Sequence, residues 1–180
     1  MTLAEIYLDL ANSMCWSWIA DWWPPGGPSS LIVQTAEGTR DTKSPDIVCP
    51  PNVQSLGWGG SDINGRLVWV AWDLDVGHGA KQYGSTDLAL ADAFRIRDFL
   101  RGQAEIRLSK SGIGVHVRHR LPNGSDRPAS DGPQIAKAVA QELDLKADPS
   151  ALGRQAFWFW TASPAPNAFK LIWHHEGVEK

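Results

Sequence analysis

Residues 67–76, which read LVWVAWDLDV, are the clearest strand in the chain, because valine and tryptophan suit a pleated, buried surface. A different period governs residues 85–101. There Ala89, Ala93, Ile96 and Leu100 fall on one helical face, and Gly102 supplies the stop. Residues 105–108 and 115–121 are strand-like, separated by the glycine-containing turn 111–114. A loop over 122–131 leads to a helix that Asp131 is expected to cap, with Pro133 in its first turn and Ile135, Ala138, Val139 and Leu143 as its apolar positions. Strands over 156–160 and 169–173 complete the second half. Toward the start, Thr2 and Glu5 have capping-box spacing and Ile6 and Leu10 continue one face, which predicts a helix over 2–13. Pro24, Pro25, Gly26, Gly27 and Pro28 break it, 31–35 reads as a short strand, and 37–65 as a long, mostly irregular segment. The interleaving predicts a mixed α/β order around one antiparallel or mixed sheet.

At 180 residues the chain has room for one domain with a sizeable core. A formal charge of −3 gives no global basic field, so any contact with nucleic acid must rest on a local patch. Cys15 and Cys49 form no CxxC pair or Cys/His array, so no zinc site is expected, and a reducing cytoplasm is the default compartment. Met1 is not followed by a basic and then an apolar region, so no secretory signal is expected. No apolar run of about 18 residues predicts a membrane span. Ten tryptophans, four of them Trp16, Trp18, Trp22 and Trp23, suit core packing or base stacking, and the pattern leaves both open.

Candidate chemistry lies on the strands. Alternation puts Asp73 and Asp75 on one face of their strand, with Val70, Trp72 and Leu74 on the other. Two adjacent carboxylates repel unless a cation sits between them, and hard oxygen ligands suit Mg²⁺ or Mn²⁺. Neutralising either aspartate is therefore expected to relieve like-charge repulsion in the absence of metal. In Ser109, Lys110, Ser111, Gly112, Ile113, Gly114, Val115, His116, the glycines let backbone N–H groups converge on an anion, and serine and lysine add donors. Beyond the turn, Val115 and Val117 alternate with His116, Arg118 and Arg120, which predicts one apolar and one cationic face. Asp148, ahead of Pro149, is a third acid in a stiff connection, with Glu142, Asp144 and Glu176 as rivals for the same role.

These three elements, in this order, resemble the archaeo-eukaryotic primase superfamily, the primase-polymerases. Asp73-Leu74-Asp75 matches the family's DxD motif, residues 111–116 look like its glycine–histidine motif, and Ala147-Asp148 its third acid. Gly114 stands where the family usually has a small hydroxyl residue. The likeness spans about residues 67–160 and implies an α+β fold. That fold has an RRM-like mixed sheet over about 67–180 and a small N-terminal α/β unit over about 1–66. It implies a DNA primase/polymerase that transfers nucleotides from NTP or dNTP on a single-stranded DNA template, in replication of a plasmid, phage or other mobile element. Asp73, Asp75 and Asp148 would hold two divalent cations, Mg²⁺ or Mn²⁺. Ser111, His116 and Lys110 would bind the triphosphate, with Arg118, Arg120 and Arg154 as phosphate contacts. A helicase module is a possible partner, and no membrane is implied. Three other readings remain at this point: the gap-filling polymerase of end-joining ligases, a non-catalytic RRM-like nucleic-acid module, and a DxD glycosyltransferase, which would not explain the glycine–histidine turn.

Overall fold

The computed structural model describes residues 31–36, 38–42, 54–58, 60–61, 64–77, 83–121, 126–146 and 157–174. The helix expected over 2–13, the tryptophans at 16–23, and Asp148, Arg154 and Glu176 lie outside them. In chain order the described elements are β1 (Leu31–Thr35), β2 (Gly38–Thr42), β3 (Ser55–Trp58), β4 (Trp69–Leu74), α1 (Thr86–Phe99), β5 (Glu105–Leu108), β6 (Val115–Arg120), α2 (Asp131–Glu142), β7 (Phe157–Thr161) and β8 (Leu171–Trp173).

The described strands form two sheets, not the single sheet expected, and every pairing between these strands is antiparallel. One has the order β2-β1-β3-β7 and the other β4-β6-β5-β8. The segment 37–65, read as mostly irregular, contributes β2 and β3. Residues of modest strand propensity pair there because β1 offers both of them an edge. Of the two late strands, β7 crosses to β3, where Ser55 Oγ lies 3.3 Å from Thr161 Oγ1. Only β8 joins the second sheet, on the outer edge of β5.

In that second sheet β4 runs into α1 and then β5, while β6 lies between β4 and β5 and opposes both. This is a split βαβ unit. Ser85 caps α1 by accepting a hydrogen bond from the Leu88 N–H, and the helix buries Ala89, Ala93 and Ile96 on the face its spacing predicts. It stops as expected: Gly102, at φ +81°, sends its N–H back to the Arg97 carbonyl at 2.8 Å. Asp131 is the first helical residue of α2 rather than its cap. Ser130 holds the cap position without a side-chain bond, and the Asp131 carboxylate lies in the first turn, where negative charge suits the helix dipole.

Both helices cover one face of the β4-β6-β5-β8 sheet. Val70, Trp72, Leu74, Ile106, Leu108, Val115 and Val117 meet Ala89, Ala93 and Ile96 of α1 and Ala136, Val139 and Ala140 of α2. Trp72 is fully buried, and its Nε1 donates to the Ala136 carbonyl at 2.9 Å, which gives the indole its partner within the core. Among the described residues no helix is long and apolar enough to cross a membrane.

Candidate active site

The opposite face of the same sheet carries the polar residues of the alternation. Register sets Asp73 of β4 opposite His116 of β6, and His116 opposite Arg107 of β5. One pair along, Ala71 faces Arg118 and Arg118 faces Glu105; Trp69 faces Arg120. The alternation expected for β6 holds, with Val115 and Val117 in the core and His116 and Arg118 across the sheet.

This polar face is buried as well. Glu105, Arg107, His116 and Arg118 are each under 8 % exposed. Glu105 Oε1 accepts from Arg107 Nε and lies 3.5 Å from Arg118 Nη1. Arg107 Nη1 also donates to the Phe169 carbonyl at 3.0 Å. Arg118, expected as a phosphate contact, therefore lies 2 % exposed beside Glu105 and is not presented to a ligand. Burial pushes its guanidinium down to about 10, with Arg107 adding to the effect and Glu105 and Asp73 opposing it; it stays protonated at neutral pH. Arg120 is half-buried, and burial lowers it too.

Asp73 is the pivot of the cluster. His116 Nε2 stands 3.3 Å from Asp73 Oδ1, within ion-pair reach but long for a charge-assisted hydrogen bond. That oxygen is buried and has no hydrogen-bond partner among the described residues, while the side chain as a whole is 36 % exposed. Burial alone would raise the Asp73 carboxyl. The charge and hydrogen-bonding capacity of His116, then Arg118 and Lys110, outweigh it and hold the group below the ordinary carboxylate value. The result is an ionised carboxylate with one oxygen buried beside His116 and an open side toward solvent. Asp75 follows one residue beyond the strand. It is exposed, and its carbonyl accepts the Tyr83 N–H at 3.0 Å, which ties the strand end to the approach of α1.

The turn between β5 and β6 closes the site at the same end. Ser109 donates its N–H to the Gly114 carbonyl at 2.8 Å, and the Ser109 and Ser111 hydroxyls share a 2.8 Å bond. Ser111 is exposed. Lys110 reaches across to the first sheet, where its Nζ donates to Gln34 Oε1 at 2.6 Å. Burial lowers the Lys110 ammonium, and Asp73 partly restores it. Glu142 and Asp144, the rivals to Asp148 inside the described segments, are both exposed at the end of α2.

Asp73 and His116 are thus paired in register, and Lys110 lies near enough to Asp73 for each to affect the other's titration. Among the described residues no group of three acids, histidines or cysteines gathers within reach of one metal ion, and the position of the third expected acid is outside them. Glu105, Arg107 and Gln34 were not singled out by sequence. The signal for the first two was present: Glu105 and Arg107 are two apart on a strand, hence on one face, next to the strand carrying Arg118. For Gln34 no local signal exists, because its partner is 76 positions away. Compared with family models, curated proteins and solved structures, the chain matches none of them.

Proposed function

We propose that the chain is a metal-dependent nucleotidyltransferase of the primase-polymerase type, working on a single-stranded DNA template with NTP or dNTP. The observation that carries this reading is the half-open Asp73 carboxylate, placed in register with His116 and beside Lys110 and the 109–114 turn. A carboxylate for a cation and donors for an anion then stand a few ångströms apart on one rigid sheet, which is what a cation–triphosphate complex requires. The split βαβ run from β4 to α2 supports an RRM-like core, with β8 added at the β5 edge.

A divalent cation fits the residues present. Mg²⁺ is commonly held by one or two carboxylates, with substrate phosphates and waters as its remaining ligands. The buried Asp73 Oδ1 is an acceptor without a hydrogen bond among the described residues, and the exposed Asp75 lies just past the strand end. Asp148 is the proposed third carboxylate. When bound, the ions neutralise the phosphates and activate the attacking hydroxyl. The chain's own residues orient the substrate. His116 offers a ring nitrogen and Lys110 an ammonium to the triphosphate, Ser111 offers an exposed hydroxyl, and Arg118 acts from beneath by keeping Asp73 ionised.

The test is incubation of the protein with labelled nucleotides, Mn²⁺ or Mg²⁺, and single-stranded DNA with or without a primer. Products longer than the primer, or oligonucleotides made without one, are the expected result. Extension confined to gapped duplex would favour the end-joining gap-filling reading. No incorporation, with DNA binding intact, would overturn the enzymatic reading.

A further inference from the structure

The 109–114 turn does not stand alone. A segment between β7 and β8 runs against it, and the contacts are mostly backbone to backbone. The Phe169 N–H reaches the Ser109 carbonyl at 3.3 Å, and the Leu108 N–H donates to the Lys170 carbonyl at 3.0 Å. Arg107 Nη1 holds the Phe169 carbonyl from the other side. At Gly112 the approach is so close that a Cβ would lie 2.1 Å from the Pro166 carbonyl oxygen and 3.2 Å from its carbon. Gly112 also sits at φ +75°, where any L side chain is strained. Both requirements fall on one residue; a positive φ is common in hairpin turns, but so close an approach of another segment's backbone is not.

The segment pays for this fit within itself. Asn167 and Phe169 adopt φ of +63° and +59° without being glycine. The strain at a bulky residue such as Phe169 persists only where surroundings fix it. Here Phe169 is 5 % exposed, and its two backbone groups are both engaged, one by Ser109 and one by Arg107.

We propose that residues 166–169, seated on Gly112, form a strap that fixes the 109–114 turn at the spacing needed to grip a nucleotide's phosphates. Gly112 and Phe169 are positioning residues; neither touches the ligand. This rests on the nucleotidyltransferase reading for the ligand, but not for the strap itself. A turn of six residues with two glycines would otherwise sample many backbone arrangements, and the donors of Lys110 and Ser111 can bind an anion well only when the turn is held in place.

Two variants and two measurements test it. In the full chain, Gly112→Ala is expected to keep the fold, with the amides of Ile106 and Val117 still protected from hydrogen exchange. The amides of Ser109 and Gly114 should exchange faster. Affinity for dATP with Mn²⁺ should fall on the order of tenfold to a hundredfold, the scale of an ångström-level misplacement, with template affinity unchanged. Gly112→Asn separates the two constraints, since asparagine tolerates positive φ but keeps the Cβ; it should not rescue. Phe169→Ala loosens the strap without changing the turn's sequence and should reproduce the effect if Gly112→Ala fails to fold. Wild-type exchange at Ser109 and Gly114 in folded Gly112→Ala or Phe169→Ala would overturn the strap. So would rescue by Gly112→Asn. Faster exchange in a protein whose wild type binds no dATP would uphold the strap and sink the nucleotide reading.

Discussion

The two faces of the β4-β6-β5-β8 sheet are both buried, yet they are built from opposite materials. One packs Val70, Trp72, Ile106, Val115 and Val117 beneath two helices. The other buries Glu105, Arg107, His116 and Arg118 around a half-open Asp73. The first face repays its burial directly, at about 25 cal/mol per Å² of apolar surface. The second does not. Taking ions out of water costs several kcal/mol each, and well-packed apolar residues often serve stability as well or better. A face that holds two arginines on one glutamate, with the second glutamate oxygen lacking a hydrogen bond among the described residues, is organised around something other than stability. Arg118 of this face, with His116 and Lys110, holds Asp73 ionised, so the comparison points to the ionised state of that carboxylate as what the face maintains.

The sharpest way to break this contrast is Asp73→Asn. Nucleotide incorporation on a primed template should fall at least about a thousandfold, the upper scale for losing one preorganised electrostatic group. The melting temperature should fall too. From sequence, relief of repulsion between Asp73 and Asp75 points the other way. The structure reverses that sign, because Arg118 and Lys110 lie near Asp73 with His116 beside it, and removing the carboxylate withdraws an attraction from each cation. The same linkage sets a pH window. A carboxyl held below its ordinary 3.8 stabilises the fold above that value and loses the contribution as pH falls through the lower folded one. The melting difference between wild type and Asp73→Asn should therefore close only under strong acid.

Next in size is Glu105→Gln. It keeps the shape and withdraws the negative charge from Arg107 and Arg118, which should cost about 3–5 kcal/mol in denaturant unfolding. Replacing all three by leucine should give a protein more stable than Glu105→Gln but inactive. If Glu105→Gln were neutral, the polar face would be ordinary packing and the contrast would fail. On the apolar face, Trp72→Phe removes the indole bond to the Ala136 carbonyl and should cost about 1 kcal/mol beyond its loss of packing.

The smallest expected effect belongs to His119. Burial lowers its pKa from 6.5, with the hydrogen bond from Nδ1 to the Gln103 carbonyl opposing the shift. The unfolded chain then takes up a proton first, so stability should decline as pH falls from about 6.5 toward the folded value. His119→Gln should flatten that slope in a melting series between neutral and mildly acidic pH.

What the chain revealed before folding follows the range of the interactions involved. Asp73, His116 and the alternation of β6 were legible because a strand's period of two is a local property. The partner of each strand was not. Nothing within residues 156–160 distinguishes a strand that will join β3 from one that will stay with β5, and the same holds for β2 and β3, whose sequences carry little strand propensity of their own. Arg118 was read as a phosphate contact because residue type sets the expectation; that it is buried beside Glu105 depends on register across β5 and β6. The strap on Gly112 was illegible for a similar reason, since its contact with Pro166 spans more than fifty positions.

The path of β7 bears on how this molecule can be taken apart. The chain leaves the first sheet after β3, builds the βαββα run of the second, returns with β7, and departs again to lay down β8. No single cut separates the two sheets, and a truncation just ahead of Phe157 removes a strand from each. A growing polypeptide cannot finish either sheet until nearly all the described residues have been synthesised. Both sheets therefore gain their last edge within the same short stretch of translation, so this chain is a poor candidate for dissection into autonomous modules or for recombination by swapping a contiguous half.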